Sequence, residues 1–373
     1  MEQMMGDMDI AFPNLGIYLR NVPKTIMIGN FGIALYGILI AAAMLMGITV
    51  AAKIAKKTGQ DPDLYWDSFV WIVISAIAGA RIYYVIFMWD YYKDNPIEIF
   101  NLRGGGLAIY GGIILSVITI FIFCRKKKAD PFLFLDTIGF GLVLGQVLGR
   151  WGNFFNREVF GEYTDNLLAM RLPISMVRAS DISESISAHM EAGTNYIQVH
   201  PTFLYEGMWN LMVFFILVIC LKKKIKRFHG ELFLVYLAGY GIGRAIIENI
   251  RTDQLYIPGT KVPVSMVLGI VVAAASIITI IVGRKRFTLI NPAEESGQEP
   301  QQDTEEETGP ETEEETGPET EEETGPETEE ETGAEAEEET GADVGQEAER
   351  EPEEDTEEDS EEEYGADTKE KTE

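Results

Sequence analysis

The sequence has 373 residues, with 60 Asp and Glu against 30 Lys and Arg and a formal net charge of −30. That average joins two unlike parts: residues 291–373 hold 39 acidic and 3 basic side chains, whereas residues 1–290 hold 21 and 27. The division excludes a soluble globular domain and an overall acidic nucleic-acid mimic, and no nucleic-acid partner is expected. With only two cysteines, Cys124 and Cys220, and three histidines, a disulfide scaffold and a thiolate-rich metal site are excluded, and no metal site is expected.

Residues 1–30 form an N-terminal segment that lacks a basic region ahead of the first apolar stretch, so no cleavable signal peptide is expected. Seven apolar stretches follow, at about 31–52, 69–89, 107–124, 132–148, 203–221, 232–250 and 264–282. Each approaches or exceeds the roughly 20 helical residues that cross a bilayer. One such stretch could be a buried core helix, but seven in succession leave no water-facing stripe for a soluble fold. The expected fold class is an all-α polytopic membrane protein with seven transmembrane helices over residues 31–289.

Cations gather at every other connection: Lys53, Lys56 and Lys57; Arg125, Lys126, Lys127 and Lys128; Lys222, Lys223, Lys224, Lys226 and Arg227; Arg284, Lys285 and Arg286. Basic loops stay on the cytoplasmic side, so the N-terminus is expected outside and the C-terminus inside. The one long outer connection, 149–202, mixes Phe154, Phe155 and Phe160 with Arg157, Glu158 and Glu162. Loops of that length are functional or disordered, and the aromatic content predicts a folded external cap. From residue 290 onward the chain is expected to be a disordered acidic cytoplasmic tail. Its unit Thr-Glu-Glu-Glu-Thr-Gly-Pro-Glu starts at Thr304, Thr312 and Thr320; adjacent glutamates repel, and each Gly-Pro stops a helix before it propagates.

Charged residues inside spans are costly and mark functional candidates. Arg81 lies in the second stretch, Arg244 and Glu248 in the sixth. Tyr240, Arg244, Glu248 and Arg251 follow at i, i+4, i+8 and i+11, within an arc of about 80° on a helix, and Arg244 and Glu248 are spaced to pair. The structural alternative is an ion pair that only fixes helix packing. Tyr36, Tyr110, Arg150, His200, Tyr205 and Glu206 stand at the same outer level, where a lone tyrosine would be an interfacial anchor. Gly141, Gly145 and Gly149 repeat every four residues and predict a close helix contact. Gly104, Gly105, Gly106, Gly111 and Gly112 bracket Tyr110 and admit close approach by a ligand. Arginines at a lipid–water boundary suit phosphate, because the planar guanidinium donates two hydrogen bonds to it. The residues alone thus point to a site for an anionic phospholipid headgroup that opens outward. Cys124 and Cys220 sit near inner helix ends and read as packing residues.

With these motifs in hand, the chain resembles the prolipoprotein diacylglyceryl transferase family over residues 12–286. The resemblance is carried by Gly149–Gly161 (GRWGNFFNREVFG, with Arg150, Asn153, Asn156, Glu158 and Gly161) and by Tyr240, Arg244, Glu248 and Arg251. His200–Glu206 (HPTFLYE), Tyr36-Gly37, and Gly79-Ala80-Arg81 with Tyr84 add to it. It implies transfer of the diacylglyceryl group of phosphatidylglycerol to the thiol of the lipobox cysteine in a prolipoprotein signal peptide, at a bacterial cell membrane and without cofactor. On that basis Arg150, Arg244, Glu248 and Tyr110 are expected to be catalytic. Phosphatidylglycerol is expected to meet Arg150, Asn153, Tyr36, Arg81, Tyr240 and Arg251, with Asn156, Glu158, Gly161, His200 and Glu206 in support. Many members carry His where this chain has Tyr110. Tyrosine is the poorer base, so either Tyr110 positions lipid only, or the thiol proton goes to Glu248, Glu206, His200 or water. The rival expectation, a transporter or flippase for an anionic lipid or solute, would place polar groups near the midplane between repeated halves.

Overall fold

The computed structural model describes residues 5–102 and 105–290. The acidic repeat tail, its expected disorder and its cytoplasmic location lie outside the described residues, as does Gly104. The chain opens with two short antiparallel pairs, β1 (Ile10–Phe12) with β2 (Ile17–Leu19), and β3 (Thr25–Ile28) with β4 (Phe31–Ala34). Helices α1 (Leu35–Lys57) and α2 (Pro62–Phe87), the single turn α3 (Trp89–Tyr92), then α4 (Ile109–Lys127) and α5 (Pro131–Asn156) follow. Next come β5 (Met170–Pro173), the short α6 (Glu184–Ala188) and β6 (Tyr196–Val199), and finally α7 (Thr202–Lys222), α8 (Glu231–Glu248) and α9 (Val264–Ile290).

Among the described residues six helices, α1, α2, α4, α5, α7 and α9, are long and apolar enough to cross a membrane. The seventh long helix, α8, carries Glu231, Arg244 and Glu248 and falls outside that set. Asp-Pro pairs start two of the spans. Asp61 accepts from Asp63 N at 2.9 Å ahead of α2, and Asp130 accepts from Phe132 N at 2.8 Å and Leu133 N at 3.3 Å ahead of α5. Each proline occupies a first-turn position whose missing N–H costs nothing there.

Three helix pairs meet through glycines. A Cβ on Gly141 of α5 would lie 2.2 Å from the carbonyl oxygen of Gly47 on α1; Gly111 of α4 meets Gly79 of α2 at the same 2.2 Å, and Gly241 of α8 meets Gly269 of α9 at 2.4 Å. No side chain fits at these crossings, so the backbones touch. Gly145 and Gly149 continue the α5 row against Ala43 and Ile40 of α1.

The structure departs from the sequence-based expectation in three places. Residues 31–34, assigned to the first span, form β4 instead. Strands β1, β2, β5 and β6 build a four-stranded sheet in the order β2-β1-β5-β6, so the N-terminal segment and the cap share one sheet within a mostly helical chain. The fourth span runs on to Asn156, two turns past its expected end at 148. Apolar burial drives that extension. Phe154 joins Ile10, Phe12, Val22, Phe160, Leu172, Ile197, Val199 and Phe203 in one cluster under the cap, and Trp151 packs on Phe203 with ring centres 5.3 Å apart. Arg157, with φ +54°, then ends the helix in the left-handed conformation. Its buried guanidinium donates to the carbonyls of Phe155, Met8 and Val22 at 2.9, 2.8 and 2.6 Å, which ties the N-terminal segment to the end of α5.

Candidate active site

The helix ends under the cap carry most of the polar residues singled out above. Because α5 continues to Asn156, Arg150 and Asn153 lie on its last turns rather than in the cap. Phe154 stands four residues after Arg150, and Phe203 three before Glu206; both are buried in the cap core. That core therefore sets the relative position of α5 and α7, and with it the two charged side chains.

Arg150 Nη2 lies 2.6 Å from Glu206 Oε2, and its Nη1 donates to Asn153 Oδ1 at 3.4 Å. Asn153 and Asn156 both donate to Glu158 Oε1, at 3.2 and 3.4 Å. On the other side of the cluster, Arg244 Nη2 pairs with Glu248 Oε2 at 2.8 Å within α8, and Ser265 Oγ donates to Glu248 Oε1. Arg251 joins the two carboxylates: its Nη1 lies 3.9 Å from Glu206 Oε1 and 3.8 Å from Glu248 Oε2.

Arg251 does not stand on the helical face that its spacing implies, because α8 ends at Glu248. Its backbone instead bridges to Gly161, where a Cβ would meet Ile250 O at 2.6 Å and His200 Cβ at 2.9 Å. Gly161 thus holds Arg251 by having no side chain. Arg251 also makes a two-pronged pair with Asp253, Nε to Oδ1 at 2.9 Å and Nη2 to Oδ2 at 2.7 Å.

The cluster holds three guanidinium groups, those of Arg150, Arg244 and Arg251, against two buried carboxylates, Glu206 and Glu248, with Asp253 paired to Arg251. Arg150 and Arg244 keep about a fifth of their side chains exposed, whereas Glu206 and Glu248 are 8 and 2 % exposed. Partly exposed arginines held by buried carboxylates suit a polyoxygen anion. A narrow cleft runs from Glu206 and Arg244 past Tyr240 and Asn210. The Tyr36 ring covers Gly152 of α5, where a Cβ would come within 2.7 Å of it.

Other expected site residues stand apart. Arg81 is buried and uses four of its five N–H donors on backbone carbonyls: Nε donates to Ile99 O at 2.8 Å, Nη1 to Gly105 O and Gly106 O at 2.8 and 2.9 Å, and Nη2 to Glu98 O. It shapes the glycine-rich loop that leads into α4. Tyr110, 44 % exposed, sits in the first turn of that helix. His200 Nδ1 faces the Tyr205 hydroxyl at 3.2 Å, and Asn166 Nδ2 donates to the same hydroxyl at 3.0 Å. Among the described residues, no hydrogen bond or ion pair joins Arg81, Tyr110 or the His200 side chain to the arginine–carboxylate cluster. Burial holds the His200 pKa below the usual imidazole value, against an opposing pull from Glu162.

Sequence reasoning missed several participants. Asp253 and Ser265 follow α8 with no helical spacing to mark them. Gln146 donates to Tyr236 OH at 2.8 Å, and Asn210 is 5 % exposed beside the cleft. These two were within reach: Gln146 precedes Arg150 by four residues and Asn210 follows Glu206 by four, so each shares a helix face with a residue already singled out.

A family model described as prolipoprotein diacylglyceryl transferase matches residues 23–282. Similar chains include three phosphatidylglycerol–prolipoprotein diacylglyceryl transferases. The one from Finegoldia magna is 40 % identical over 65 % of this chain and 90 % of its own length. That of a Nostoc species is 36 % identical over 78 and 100 %, and that of Clostridium botulinum 38 % over 71 and 99 %. The chain belongs to the prolipoprotein diacylglyceryl transferase family.

Proposed function

We propose that this chain transfers the diacylglyceryl group of phosphatidylglycerol to the thiol of a lipobox cysteine in a prolipoprotein signal peptide, the first step of bacterial lipoprotein maturation. The observation that carries the reading is the Arg150–Glu206–Arg251–Glu248–Arg244 cluster at helix ends under the cap, in a chain whose relatives bear that name.

In the reaction the cysteine thiol gives up its proton, which passes finally to water, and the sulfur attacks the glyceryl carbon that bears the phosphate. A C–S bond forms, the C–O bond breaks, and the electron pair stays on the departing oxygen. A phosphodiester monoanion thereby becomes a phosphate monoester, glycerol phosphate, with added negative charge. Fixed guanidinium donors in a site partly shielded from water stabilise that added charge more than they stabilise the bound lipid. Arg150, with Asn153 beside it, holds the phosphate; Arg244, braced by Glu248, faces the developing charge. Arg251, braced by Asp253, keeps both carboxylates in place. Tyr36 and Tyr240 border the lipid, and Tyr110 positions it from the exposed start of α4. Arg81 acts through the glycine-rich loop it orders.

Within this reading α8 is the seventh span, its Arg244 and Glu248 neutralising each other inside the bilayer. The N-terminus and cap lie outside, and the C-terminal end of α9 and the acidic tail lie in the cytoplasm. The support is the run of cations at the inner helix ends, which positive-inside orientation demands. The test is transfer in vitro: enzyme in phosphatidylglycerol vesicles should convert a lipobox peptide to its thioether with one glycerol phosphate released per peptide. The same peptide with serine for cysteine should stay unmodified. Lipid movement between leaflets without thioether formation would reject the assignment.

A further inference from the structure

A second cluster of cations lies beside the first and takes no part in the transfer step as described. A cavity of about 330 Å³ opens at the end of α5, lined by Lys24, Asn156, Arg157, Glu158, Ser175 and Arg178 among others. That volume is at the lower end of the ~300–1,000 Å³ typical of small-molecule sites. Among these residues three cations face one carboxylate, and their donors are only partly used. Lys24 Nζ donates to Met176 O at 2.8 Å, which leaves two ammonium hydrogens. Arg157 is 2 % exposed, and its buried Nε has no hydrogen-bond partner. Arg178 reaches Glu158 Oε2 only at 3.4 Å, with 71 % of its side chain exposed. Ser175 Oγ is turned away, donating to Asp7 Oδ1 at 2.7 Å. Burial and the charges of Arg157 and Arg178 hold the Lys24 ammonium below its usual pKa, with Glu158 opposing them. An anion with several oxygens would engage the spare donors of Lys24 and Arg178 and relieve the crowding of charge.

We propose that this cavity is an exit subsite for a phosphate monoester, the glycerol phosphate released by transfer, on its way from the arginine cluster to water. The inference rests on the reading that Arg150 and Arg244 hold the phosphate during the reaction. Glu158 links the two places. Its Oε1 accepts from Asn153 and Asn156, Asn153 accepts from Arg150, and its Oε2 faces Arg178. The chemistry also distinguishes product from substrate. A phospholipid headgroup carries one negative charge on phosphate and is tethered by two acyl chains. A phosphate monoester has a second pKa near 6 and so carries about −1.5 to −2 at neutral pH, with no chain to hold it in lipid. A polar, cation-rich cavity within the cap fits the second far better than the first.

Product inhibition tests this in the full-length enzyme, with phosphatidylglycerol vesicles, a lipobox peptide and added glycerol phosphate, glycerol serving as the uncharged control. Glycerol phosphate, but not glycerol, should slow the unsubstituted enzyme. In Arg178→Gln and in Lys24→Gln the concentration that halves the rate should rise about tenfold, the value of one lost charge-assisted contact. The KM for phosphatidylglycerol should stay within about twofold, since neither side chain meets the lipid. Equal inhibition of variant and unsubstituted enzyme, or no inhibition of either, overturns the proposal. A KM for lipid that rises in step with the inhibition constant overturns it in favour of a lipid-headgroup site. Arg178 is largely exposed, so its variant decides the matter if Lys24→Gln folds poorly. The transfer-site reading fails separately, through a normal kcat in Arg150→Ala.

Discussion

Arg150 of α5 and Glu206 of α7 are joined across the site by an ion pair, with Nη2 and Oε2 2.6 Å apart. The guanidinium proposed to hold phosphate is thus held by a buried carboxylate. An arriving phosphate engages an arginine whose position is set, so little of its binding energy goes into ordering the side chain.

The first prediction follows from that pair and from Arg244–Glu248. Losing one preorganised donor of this kind costs about 2.7–4 kcal/mol, or roughly 10²–10³ in rate. Arg150→Ala and Arg244→Ala should each lower kcat/KM by that factor, and Arg→Lys should restore only part of it because the planar fork is lost. Turnover is to be measured per folded molecule beside a thermal melt. Normal turnover with a lowered Tm would mean that both arginines only hold the helices together.

Tyr110 gives a graded expectation. It is half exposed, and no partner fixes its hydroxyl among the described residues. If it positions lipid through its ring, Tyr110→Phe should lose only a small part of the rate and Tyr110→Ala considerably more. An obligatory role for the hydroxyl as proton acceptor predicts equal damage from the two. Initial rates of both variants with one peptide separate these outcomes.

Two glycines of the same α5 row should respond differently. An added Cβ at Gly141 would sit 2.2 Å from Gly47 O, whereas at Gly149 the nearest atom, Ile40 Cδ1, is 3.6 Å away. Gly141→Ala therefore forces α1 and α5 apart and should destabilise the protein by about 1–3 kcal/mol or more. Gly149→Ala should be nearly neutral. Unfolding in detergent measures both, and equal stability of the two variants would contradict the contact.

The acidic tail should be dispensable for transfer. It follows the end of α9, which in the orientation proposed above is the inner side, a bilayer of roughly 30 Å from the proposed chemistry. Protein ending at Asn291 should keep its rate in vesicles, and loss of turnover in correctly inserted, shortened protein would sink the expectation.

Much of the scaffold was legible because lipid-facing helices need long apolar runs and allow little else. The Arg244–Glu248 pair was legible from a four-residue spacing alone. The end of α5 was not. Gly149, Gly152, Asn153 and Asn156 read locally as loop, and it is the burial of Phe154 against strands from elsewhere in the chain that extends the helix. The sheet was missed for a related reason, since strands of three or four residues are too short to show alternation. Arg178 and Asp253 escaped notice because each matters through a partner that only the folded chain brings near: Glu158 for the first, and for the second an Arg251 held in place by Gly161.

The strand pairing Ala11 with Arg171 has a consequence for how the protein is made. Strand β1 leaves the ribosome early, and its partner β5 follows about 160 residues later. At about 5–20 residues per second that interval is roughly 8–30 s. Throughout it, Ile10–Phe12 has β2 on one side but lacks β5 on the other, and Arg157, which ties down Met8 and Val22, has yet to be synthesised for most of it. The cap core that aligns Arg150 with Glu206 closes only after α7 has begun. A nascent chain therefore carries most of its long apolar helices before the Arg150–Glu206 pair can form. Delayed delivery of residues 157–199 to their own side of the membrane would leave a fully inserted but inert protein with an apolar edge open to wrong partners.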